Sequence, residues 1–61
     1  MNNVQEKAVK RIKVAYRMGE HAFAAGFLSA LIRGAKHQSE KDAMLAAARD
    51  LGIASHPEFI I

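Results

Sequence analysis

Residues 22–32, AFAAGFLSALI, decide how this chain folds. Ser29 is the only polar residue among the eleven, and none is charged. A surface helix is apolar along one stripe, so a segment apolar on all sides demands cover from more than one direction. In a 61-residue chain that demand organises everything else.

Working towards the N-terminus, residues 3–33 contain no proline and read as one long helix. Val4, Ala8, Val9, Ile12, Ala15, Tyr16, Gly19, Ala22, Phe23, Gly26, Phe27 and Ala30 recur at helical spacing and define a first apolar face. Bulky and small residues alternate on it, a pattern that lets a second helix approach closely. A second stripe, Val14, Met18, His21, Ala25, Leu28 and Ile32, steps by four, three, four, three and four. That is the seam spacing of a short coiled coil, and it predicts a homodimer interface. Gly19 is the weak point, because glycine costs about 1 kcal/mol in a helix interior. A break there, giving a monomeric three-helix arrangement, is the structural alternative.

Towards the C-terminus, Gly34 is placed as a helix cap and residues 34–38 as a five-residue link. Ser39 followed by Asp42 resembles a capping box, so a second helix is expected over residues 40–51, with Met44, Ala47, Ala48 and Leu51 on its buried face. A short link favours antiparallel neighbours, which would lay this helix over Phe23, Phe27 and Ala30. Gly52 and Ile53 fit its end. The tail ASHPEFII contains Pro57 and is expected to run extended along Val9, Ile12 and Tyr16. The sequence therefore predicts a single small all-α domain over residues 1–61: a long N-terminal helix, a short antiparallel second helix forming a helical hairpin, and an extended apolar tail, paired as a homodimer.

Composition narrows the function. The chain has no Cys, which removes disulfides and Cys-based zinc sites and suits a reducing cytoplasm. A domain this small supplies only about 3–5 kcal/mol from its core, so a partner subunit is the expected helper. The N-terminus carries charges where a signal peptide needs apolar residues, and the uncharged run is about half of the roughly 20 residues a membrane span requires. His21, His37 and His56 are too scattered to read as metal ligands, and Ser29, Ser39 and Ser55 lie beside no fixed base. No cofactor and no catalytic activity are expected.

The net charge of +3 is concentrated at one end. Residues 1–21 hold Lys7, Lys10, Arg11, Lys13 and Arg17 against Glu6 and Glu20, whereas the basic and acidic residues of 22–61 cancel. This basic stripe is the expected partner-facing surface. It supports two readings: a helical homodimer that binds a host or regulatory protein, or an accessory factor that binds nucleic acid. The segment AAARDLGIASHPEF looks like the first half of a helix-turn-helix, with Ala48, Gly52 and Ile53 at the matching positions, although Pro57 falls inside what would be the recognition helix. In size, lack of Cys, basic N-terminus and helical hairpin, the whole chain resembles the small early-region accessory proteins of lambda-type phages. That resemblance implies a host-directed or regulatory binder in a bacterial cytoplasm, and it assigns no residue a role.

Overall fold

A glycine turn at residues 18–20 divides the expected long helix. The computed structural model describes residues 3–61, which form α1 (Asn3–Arg17), α2 (His21–Gly34), α3 (Gln38–Leu51) and a short 3-10 turn (Ile53–Ser55), with no strand among them. Gly19 adopts φ +94°, a left-handed conformation that a side chain disfavours. Its N–H donates to the Tyr16 carbonyl (3.1 Å) and the Glu20 N–H to the Ala15 carbonyl (3.0 Å). These two bonds are the pair that closes a Schellman stop, so α1 ends in a satisfied cap and not in a fray. The Glu20 carbonyl then accepts from the Ala24 N–H (3.0 Å) and opens α2. The three-helix alternative is the architecture the chain adopts.

The break re-aims α2, and this rearranges the core. On α1 the first apolar face points inward through Val9, Ile12 and Ala15, which are buried, whereas Val4, expected on the same face, is 76% exposed in the first turn. On α2 the other stripe turns inward: Ala24, Ala25, Leu28, Ser29 and Ile32 are buried. Phe23 and Phe27, expected to lie beneath the following helix, are 52% and 40% exposed, and Ala30 is exposed as well. A continuous helix would have kept one stripe inside throughout. With a turn between them, each helix buries whichever of its faces serves the core. Ser29 is tolerated there because its hydroxyl donates to the Gly26 carbonyl (2.9 Å), one turn back.

The link is shorter than expected. Gly34 remains helical, Ala35 is extended and buried, and α3 begins after His37. The His37 carbonyl accepts from the N–H groups of Glu40 and Lys41 (3.1 Å each), so His37 occupies the capping position expected of Ser39. The side chain of Gln38 instead bonds Asp42 (2.9 Å), one turn further into the helix. Met44 and Ala48 of α3 are fully buried, with Ala47 and Leu51 packed beside them. Gly52 ends α3 at φ +83°, and Ile53 enters the core behind it.

The tail departs from its expected course. Residues 53–59 form a series of tight turns: the His56 N–H bonds the Ile53 carbonyl and the Phe59 N–H bonds the His56 carbonyl, both at 3.0 Å. Phe59 packs half-buried against the core. Ile60 and Ile61 remain open and border shallow grooves with Leu45 and Arg49 of α3, not with Val9, Ile12 or Tyr16 of α1. The physical reason lies at Gly52, whose left-handed turn directs the chain back over α3 before Pro57 is reached.

Candidate interaction surface

α1 has one face in the core and the other in solvent, and the outer face is chemically distinctive. Lys7, Lys10, Arg11 and Arg17 are exposed and Lys13 is half-buried, so the basic stripe expected from the sequence lies on one accessible helix. Apolar residues interrupt it. Val4, Val14 and Met18 are 76%, 55% and 76% exposed. With Lys7 and Arg11 they form the series 4, 7, 11, 14, 18, whose steps of three and four place all five along one line of the helix.

α2 supplies a wall beside this line. The rings of Phe23 and Phe27 meet edge to face, with centroids 5.6 Å apart and planes at 77°. This geometry is favoured by the ring quadrupoles and holds both rings in place at the surface. Phe27 closes a groove of about 460 Å³ whose other sides are Lys7, Ala8 and Arg11 of α1. The groove is therefore aromatic on one side and cationic on the other, with a small alanine between. Neither phenylalanine was expected at the surface. Their periodicity was visible in the sequence, but the side of α2 that meets the core depended on the angle introduced at Gly19.

The expected dimer seam is divided by the same turn. Ala25, Leu28 and Ile32 lie in the chain's own core, at 0%, 0% and 5% exposure. Val14 and Met18 remain outside, and His21 sits at the start of α2 with its ring 4.4 Å from that of Tyr16. The six residues do not form one surface, because the seam required an unbroken helix through residue 19.

The remaining candidates separate. His21 opens α2, His37 caps α3, and His56 lies in the tail, where its Nδ1 accepts from the Glu58 N–H (3.0 Å). Among the described residues, no three His, Asp or Glu side chains come together as a group that could hold a metal ion. The helix-turn-helix resemblance fails at its second half: among the described residues Gly52 is followed by a 3-10 turn, Ile53–Ser55, and by no recognition helix. No helix among the described residues is long and apolar enough to cross a membrane. Compared with known proteins, the chain matches no family model, no curated protein and no solved structure.

Proposed function

We propose that this protein is a small non-enzymatic interaction protein that binds another macromolecule, a protein, through the outer face of α1 and the adjoining Phe23–Phe27 wall. One observation carries the reading: Val14 and Met18 are open to solvent on a helix whose opposite face already fills the core. Exposed apolar residues scattered singly need no explanation, but a line of them beside two exposed aromatic rings is the composition of a contact surface. The surrounding cations add steering towards an acidic partner. The likeness in type to early-region phage accessory proteins would make that partner a host or regulatory protein in the cytoplasm.

The exposed Lys7, Lys10, Arg11 and Arg17 favour a second reading, in which the same helix binds nucleic acid. Affinity capture from lysate with wild-type protein and a Met18→Glu variant separates the two. Retention of one protein after nuclease treatment, lost with Met18→Glu, supports the protein-binding reading. Recovery that disappears with nuclease and falls steeply between about 50 and 200 mM salt supports nucleic acid instead.

A further inference from the structure

We propose that the groove between α1 and α2 seats an acidic amphipathic helix of a partner protein. The inference rests on the reading of the α1 outer face as a contact surface, and it specifies the chemistry of the occupant.

Three features define that occupant. The first is spacing. Val4, Lys7, Arg11, Val14 and Met18 repeat at the interval by which two helices keep a common seam, and α1 is about 22 Å long at 1.5 Å per residue. A helix of similar length, with apolar residues at the same interval, follows that line from end to end. The second is a receiving site. Lys7, Ala8 and Arg11 stand at positions i, i+1 and i+4 of α1, and Phe27 of α2 closes the fourth side. A groove bordered by these four residues, with the small Ala8 among them, leaves room for an apolar side chain of a docked helix. Lys7 and Arg11 are exposed, and long cationic side chains of this kind pack their aliphatic stems on apolar surface while keeping the charged heads in water.

The third feature is charge. α1 carries five cations and one acidic residue, Glu6. An apolar knob entering between Lys7 and Arg11 brings its helical neighbours directly against those heads, where Asp or Glu is favoured and Lys or Arg repelled. This argues against a second copy of the chain, since a symmetric α1–α1 contact along this line would crowd the Lys7 and Arg11 heads of one copy against those of the other. It argues against nucleic acid at the centre of the face, because Val14 and Met18 offer no hydrogen bond to phosphate or base edges. It also argues against a lipid surface, because Lys7 and Arg11 interrupt the apolar line that would have to enter the acyl region.

The test is site-specific photocrosslinking in the native cells, with p-benzoyl-phenylalanine replacing Met18 and, as control, the exposed Ala46 of α3. The crosslinked segment is sequenced and its synthetic peptide titrated against the purified protein. The proposal expects an adduct from position 18 and none from position 46. The captured segment should be net acidic, with apolar residues at three- and four-residue steps, and helical when bound. Lys7→Glu combined with Arg11→Glu should leave the circular-dichroism melt unchanged and weaken peptide binding at least tenfold. A captured protein segment that is basic, neutral or non-helical overturns this inference and leaves the broader protein-binding reading standing. No adduct, or an adduct with nucleic acid, lipid or a second copy, overturns both. Unchanged peptide affinity in the charge-reversed variant also overturns the inference.

Discussion

The ring of Tyr16 lies 4.4 Å from that of His21, tilted by 36°, and so spans the turn at which the two N-terminal helices part. The same tyrosine reaches the far end of α3: a Cβ on Gly52 would stand 3.6 Å from its hydroxyl. One side chain from the last turn of α1 thus stands against the first residue of α2 and beside the left-handed stop of α3. Aromatic pairs of this kind contribute about 0.5–1.5 kcal/mol beyond burial. Tyr16→Leu should therefore lower stability by about 1 kcal/mol, and much of that loss should vanish in a His21→Ala background. A double-mutant cycle by urea denaturation checks this, and strictly additive effects would show that the ring contact is incidental.

The glycines make a paired prediction. Gly19 has open space around it but a positive φ, so Gly19→Ala should destabilise by about 1–2 kcal/mol through backbone strain alone. Gly26 is helical and nothing lies within 4 Å of an added Cβ. Gly26→Ala should be neutral or stabilise by up to about 1 kcal/mol. Thermal melts resolve the difference, since 1 kcal/mol shifts the midpoint by roughly 4–8 °C in a domain of this size. Equal responses at the two positions would contradict a left-handed turn at residue 19.

The tail should divide in the same manner. Phe59 packs on the core, whereas Ile60 and Ile61 are each 59% exposed. Phe59→Ala should lower the melting temperature measurably, by an amount corresponding to about 1–2 kcal/mol for a partly buried aromatic. Replacing Ile60 and Ile61 by serine should leave it within about 0.5 kcal/mol of the parent, as substitutions away from packed features do. If the isoleucines proved the more costly, the tail would be held by its end and not by Phe59.

Much of this fold is legible in the sequence; the exchange of inner faces traces to Gly19, and the course of the tail to Gly52. The buried positions of α1 follow from Val9, Ile12 and Ala15 at helical spacing, and those of α3 from Met44 and Ala48. Gly52 announces its own turn because it lies between a helical pattern and a proline-containing tail. Gly19 is a weaker signal: apolar residues continue on both sides of it in two unbroken stripes. Periodicity counts residues along a helix axis and carries no information about the rotation introduced when that axis ends. Both stripes are consequently half right. The inner face passes from Ala15 on one stripe to Ala25 on the other. The basic residues are easier to place, because a charged side chain reports solvent exposure whichever way the helix turns. Phe23 and Phe27 are harder, because an aromatic residue on an amphipathic helix is read as core until the neighbouring helix is located.

Two residues from one predicted seam lie in opposite environments, Leu28 at 0% and Met18 at 76% exposure. The most direct measurement compares Leu28→Glu with Met18→Glu by circular-dichroism melting and light scattering. An unpaired charge in the core costs several kcal/mol, as much as a domain of this size has to lose. Leu28→Glu should therefore abolish the cooperative melt, while Met18→Glu should keep the parent's helicity and midpoint and lose only partner binding. If both variants instead stayed folded and both dissociated a dimer, one helix would run unbroken through Gly19, and the three-helix core would be contradicted.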